Sequence, residues 1–189
     1  MLTVSLLVCA MMALATADDA DVASSNSTSN VSNNSSSNAD DASSYEAGPA
    51  CPASWMKYND RCFLYVPREL DWSDAEKNCQ SFKGNLASVH SIEEYHFIQM
   101  IIKQQTHGYP MTWIGGHDSP KNNVWFWSDG RPFYFTFWCA GQPNNSGGNQ
   151  GCIRMNAGEH NCWDDFMCSG KLPSVCARNP EESPELTQR

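Results

Sequence analysis

Trp125-Phe126-Trp127-Ser128-Asp129-Gly130 is followed by Gln142-Pro143-Asn144 and then by Cys162-Trp163-Asp164-Asp165. Amide and carboxylate oxygens crowd into one short stretch flanked by cysteines. Oxygen ligands of this kind are what a hard cation such as calcium requires. From Gly108 onward the chain consists of short aromatic segments among Gly, Pro, Asn and Asp. That composition predicts short strands joined by long loops.

Upstream the pattern changes. Tyr58 to Val66 places the polar pair Asn59-Asp60 between aromatic and aliphatic residues, which predicts a hairpin. Asp71 to Phe82 predicts a helix. Trp72, Ala75, Cys79 and Phe82 recur along one face, and Ser73 and Glu76 have the spacing of a capping box. Ser91 to Gln105 predicts a second helix, with Tyr95, Ile98 and Ile102 on one face and Ser91 and Glu94 at capping-box spacing. Helices first and strands later imply an α+β domain, here of two helices with antiparallel sheets and long loops.

The net charge of −9 over 189 residues is unevenly spread. Residues 18–50 carry six acidic residues and no lysine or arginine, whereas residues 51–177 carry twelve acidic and ten basic ones. The foldable part is close to neutral and has no basic patch for nucleic acid. Residues 18–50 are Ser, Asn, Asp and Ala with one aromatic, Tyr45, too little apolar surface to offset ordering entropy. They predict a disordered leader with sequons at Asn26, Asn30, Asn33 and Asn34. Residues 178–189 predict a flexible polar tail. Met1 to Leu14 is almost wholly apolar and precedes Ala15-Thr16-Ala17, so residues 1–17 have the form of a secretory signal peptide. The run is too short to span a bilayer, and no later segment qualifies. Cys9 lies in this run; the other eight cysteines fall between Cys51 and Cys176. In a secreted chain an even count within one domain's length implies a four-bridge disulfide framework.

Leu86-Ala87-Ser88-Val89-His90-Ser91, Trp113-Ile114-Gly115-Gly116, Trp125 to Gly130, and Cys162-Trp163-Asp164-Asp165 occur in one order on one cysteine ladder. In this order the chain resembles a C-type lectin domain across residues 51–177. The apolar leader, Glu46-Ala47-Gly48-Pro49, and the Trp138-Cys139 and Cys162-Trp163 elements resemble fish type II antifreeze proteins and related secreted lectins. The resemblance implies the pairs Cys51–Cys62, Cys79–Cys176 and Cys152–Cys168, and its antifreeze-like branch adds Cys139–Cys162. A fifth bridge typical of the antifreeze proteins has no counterpart, since His117-Asp118-Ser119 and Gly151 stand in its places.

The resemblance also implies a calcium site on Gln142, Asn144, Gln150, Asp164 and Asp165, with a cis bond before Pro143. Gln142, Asn144, Gln150 and Asp164 would also hydrogen-bond sugar hydroxyls that complete the calcium shell. Gln142-Pro143-Asn144 matches neither the mannose-type nor the galactose-type version of this loop. Gln150 stands where the family usually has Glu, and Asp164 where it usually has Asn. Two adjacent carboxylates and three neutral amides imply weak calcium binding. Gly151 replaces an acidic ligand of a second family site. Asn144-Asn145-Ser146 is itself a sequon, so a glycan there would exclude a metal held by Asn144. Trp113, Trp125, Trp127 and Trp138 are expected in the core, and the five histidines lack zinc-ligand spacing.

The implied function is a secreted, calcium-dependent carbohydrate-binding lectin. The alternative is an ice-binding antifreeze protein with the ice crystal as its partner, and a third is a lectin-like domain that binds protein. No Gly-x-Ser-x-Gly or His-Glu-x-x-His motif suggests an enzyme.

Overall fold

The computed structural model describes residues 49–181. The signal segment 1–17, most of the leader with its four sequons, and residues 182–189 lie outside the described residues. Among the described residues no helix is long and apolar enough to cross a membrane.

Strand β1 (Met56–Tyr58) turns at Asn59-Asp60 and pairs antiparallel with β2 (Arg61–Leu70), Tyr58 opposite Arg61. Asn59 takes a left-handed φ of 50°, a conformation Asn tolerates better than most residues. Helix α1 (Trp72–Ser81) starts differently from the capping box expected at Ser73 and Glu76. Asp71 is the N-cap, and its carboxylate accepts from the Asp74 amide at 2.9 Å. Asp71 has the extended backbone a cap needs, whereas Ser73 is already helical. Ala75 and Cys79 are fully buried, but Phe82 stands past the last turn and is exposed, so it leaves the expected face.

Helix α2 (Ile92–Thr106) is capped by Ser91, which accepts from the Glu94 amide at 3.2 Å. Glu94 reaches back to the amide of His90, one residue before the cap. Tyr95, Ile98, Ile101 and Ile102 pack into the core against Phe63, Ile114, Met155 and Trp163.

The remaining strands are β3 (Asn85–Leu86), β4 (Thr112–His117), β5 (Phe126–Trp127), β6 (Cys152–Ala157), β7 (Cys162–Phe166) and β8 (Leu172–Arg178). They form one sheet in the order β1-β2-β8-β4-β6-β7, with β3 on β8 and β5 on β4. The antiparallel expectation fails at one place. β4 runs parallel to β8, Trp113 opposite Ser174, so the sheet is mixed. Parallel neighbours need a long connection, and the whole of β5 to β7 supplies it.

Strand pairing runs slightly past the expected limits of 51 and 177. β8 includes Arg178, and Ala50 and Glu181 exchange backbone hydrogen bonds of 3.1 and 3.0 Å. Four disulfides join Cys51–Cys62, Cys79–Cys176, Cys139–Cys162 and Cys152–Cys168, using all eight domain cysteines. The last two fasten a loop that runs from the end of β5 to β6. Its regular structure is a single 3-10 turn at Ser146–Gly148 and a one-residue bridge, Trp138 to Trp163. At that bridge Cys139 donates to the Trp163 carbonyl and Trp163 to that of Phe137. The loop is thus laid against β7.

Candidate functional site

β7 presents Asp164 and Asp165 in succession, and adjacent strand residues project to opposite faces. The Asp165 side chain is fully buried. Its carboxylate accepts from the backbone amides of Asn144 at 2.9 Å and Asn145 at 2.6 Å. These two amides follow Pro143, and the Gln142–Pro143 bond is cis, as the resemblance implied. Asp165 therefore fixes the loop just past the proline.

Two of the expected ligand oxygens then converge. Asn144 Oδ1 and Gln150 Oε1 both accept from the amide of Ser146. Asn145 closes the same turn from within, its Oδ1 accepting from the Gln150 amide at 3.0 Å. Gln142 Oε1 is buried with no hydrogen-bond partner among the described residues. A buried acceptor without a donor costs free energy unless an ion, a water or a ligand satisfies it.

Asp164 is engaged differently. It faces Arg154 on β6, whose Nε and Nη2 donate to its Oδ2 at 2.9 and 2.5 Å. The structure brings Asn144, Gln150 and Asp165 into one loop-and-strand cluster, leaves Gln142 Oε1 without a partner among the described residues, and ties Asp164 to a guanidinium.

A cavity of about 160 Å³ opens beside this cluster, lined in part by Asp118, Asn122, Trp125, Pro143, Asn144 and Asp165. None of Asp118, Asn122 and Trp125 was expected at the site: Trp125 was expected in the core, Asp118 was named only for the missing fifth bridge, and Asn122 was not named. Asp118 is buried and accepts from the Asn123 amide at 2.7 Å, and Asn122 Oδ1 accepts from Asn145 Nδ2 at 2.6 Å. The signal for them was weak, a polar Asp-Ser-Pro-Lys-Asn-Asn loop directly after Trp113 to His117. Trp113 and Trp127 are core, as expected. Trp125 and Trp138 are half-buried with ring centroids 4.9 Å apart, and Trp125 faces the cavity.

Asp129, from the same stretch as Trp125, belongs to the framework. It accepts from Ser88 Oγ at 2.5 Å and lies 3.8 Å from Arg61, which also pairs with Glu94 at 2.7 Å. His90 Nε2 is 2.9 Å from the same Ser88 oxygen. Here the carboxylate bonds the serine and not the imidazole, the reverse of a hydrolase triad. Burial and the nearby Arg61 hold the His90 pKa below its ordinary value.

The donor set fits a hard cation held loosely. Gln142, Asn144, Gln150 and Asp165 offer oxygen only, with one carboxylate free of a side-chain cation. Among the described residues no group of three or more His, Cys, Asp or Glu side chains could hold a metal. A calcium shell takes about 6–8 oxygens, so solvent or ligand hydroxyls would complete it.

Fold, bridges and loop together define a C-type lectin fold: two helices on a mixed sheet, with a disulfide-fastened polar loop over the β7 strand. Residues 68–178 match the Lectin C-type domain, and the chain belongs to that family. It is 37% identical over 182 residues to ladderlectin of Oncorhynchus mykiss, covering 96% of this chain and 95% of that one. It is 40% identical over 177 residues to the type-2 ice-structuring protein of Hemitripterus americanus, covering 94% of this chain and 98% of the relative. Among solved structures it resembles herring type II antifreeze protein with a TM-score of 0.65 and 37% identity, over 69% of this chain and all of the other.

Proposed function

We propose that this protein is a secreted lectin that binds glycans through a calcium ion held by Gln142, Asn144, Gln150 and Asp165. The observation that carries this reading is the convergence of the Asn144 and Gln150 amide oxygens on one N–H in a loop whose Gln142 Oε1 is buried and unpartnered among the described residues. When bound, calcium supplies open coordination positions that vicinal hydroxyls can fill. The chain's own residues do the rest. Asp165 holds the loop in place through two amides, and the side-chain amides of Gln142, Asn144 and Gln150 can donate to the same hydroxyls. Recognition then proceeds without bond cleavage, and no enzyme activity is proposed. Secretion is supported by the apolar segment before Ala15-Thr16-Ala17 and by the four bridges, which persist in oxidising compartments. The leader sequons are proposed glycosylation sites.

A second reading, adsorption to ice, is favoured by the near full-length similarity to an ice-structuring protein and by the mostly neutral amide character of the site. Glycan-array binding and thermal hysteresis, each measured with calcium and with excess chelator, separate the two. The lectin reading expects glycan binding that disappears with chelator and no hysteresis. Hysteresis without glycan binding overturns it in favour of ice.

A further inference from the structure

Arg154 pairs with Asp164, one of the expected ligands, and the reading above gives it no role. Arg154 and Asp164 are register partners across β6 and β7. Two guanidinium nitrogens, Nε and Nη2, converge on the single oxygen Oδ2, at 2.9 and 2.5 Å. The guanidinium carbon lies 3.8 Å from the centroid of the Phe166 ring, and Phe166 packs against the buried Trp113 at 6.0 Å. The side chains are only 17% and 10% exposed. This is not a solvated surface pair, whose partners reorient freely and contribute little. Packing on an aromatic face fixes the fork, and charge-assisted bonds of this length are the stronger kind.

We infer that Arg154 is the resident counter-ion of Asp164 and withholds that carboxylate from any metal bound at the neighbouring loop. The pair as a unit carries no net charge. Asp164 beside Arg154 thus amounts electrostatically to a neutral residue, and Asp165 is left as the only uncompensated carboxylate of the expected ligand set. Both bonds fall on Oδ2, so an ion taking that oxygen would have to strip off the guanidinium and leave it partly buried without a partner, and one approaching Oδ1 would meet a carboxylate whose charge the guanidinium already offsets. Arg154 therefore sets the site's calcium affinity without touching the ion. The inference rests on the calcium reading for its probe, not on glycan recognition.

Calcium chloride titrations by calorimetry on the chelator-stripped full chain test it. Asp164→Asn should leave the calcium Kd within about twofold, because a carboxylate already engaged adds nothing to lose. Arg154→Gln should tighten binding by roughly tenfold, because a second carboxylate is released. The double variant should return to the native value, which makes the gain depend on Asp164 and not on removal of a positive charge nearby. A tenfold loss in Asp164→Asn overturns the inference, and so does any Arg154→Gln protein that is folded by near-ultraviolet circular dichroism but binds calcium no tighter. Should Arg154→Gln fail to fold, Asp164→Asn decides alone. Uptake by Arg154→Gln but not by the native chain would uphold the inference while sinking the calcium-bridged lectin reading. Native uptake with these outcomes but no glycan binding would sink only the lectin reading.

Discussion

Asp165 is the residue on which the loop's shape depends most. It is fully buried and satisfies two consecutive backbone amides, a role that needs two acceptor oxygens. Asp165→Asn would replace one acceptor by an N–H group pointing at another N–H. The expected cost is about 1–3 kcal/mol of stability, read as a lower midpoint in urea, together with loss of calcium uptake in calorimetry. Unchanged calcium uptake would place the ion elsewhere. Gln150→Glu should act oppositely, since it adds a carboxylate where Gln150 Oε1 already meets Asn144 Oδ1 over the Ser146 amide. Calcium affinity should rise with ligand charge, and a weaker Kd would show that Gln150 does not face the ion. Both positions could be nominated from the sequence because their residue types and order are distinctive. The engagement of Asp164 could not. Nothing in Cys162-Trp163-Asp164-Asp165 says that Arg154 lies across the strand, because register is a property of the pairing and not of the segment.

At the scale of elements, Glu76 is the tie between helix and sheet. Its carboxylate leaves α1 and accepts from the Leu86 amide at 2.8 Å, Asn85 Nδ2 at 2.5 Å, Ser128 Oγ at 2.9 Å and Gln80 Nε2 at 2.9 Å. Glu76→Ala strands several of these donors and should destabilise the domain by about 2–4 kcal/mol. A shift under about 0.5 kcal/mol in chemical denaturation, the size of a neutral surface change, would refute that role. The 3.6-residue pattern identified α1 but misassigned Glu76 to its own cap, since the spacing of a capping box also fits a side chain that turns away from its helix into the sheet.

A pH effect belongs to the segment before α2. Burial first, and then Arg61, hold the His90 pKa down, and burial does the same for His117. The unfolded chain therefore takes up these protons first as pH falls. Stability is full above the ordinary histidine range, decreases as pH drops through it, and levels off below the folded pKa values. The melting temperature should fall between about pH 7 and pH 5, and His90→Asn should flatten part of that slope. A slope identical to the native one would assign the effect to other groups.

At the scale of the molecule, the Cys139–Cys162 bridge closes a 23-residue separation and pins the candidate loop to β7. Replacing both cysteines by alanine should cost about 2–4 kcal/mol and should weaken calcium binding along with it. A stability loss with calcium uptake intact would mean that Asp165 alone is enough to hold the loop.

What the sequence determined by itself was local or countable. The hairpin at Asn59-Asp60, the two helices and the even set of cysteines each rest on neighbours within a few residues or on composition, and the ordered series of motifs identified the family. What the tertiary structure decided was set by pairings between distant segments. The parallel contact of β4 with β8, the capture of Glu76 by β3, the Asp118 and Trp125 wall of the cavity, and the seizure of Asp164 by Arg154 all join residues that no local pattern links. Their energies arise only when the chain has closed, because a carboxylate chooses its partner by which donor burial brings within reach.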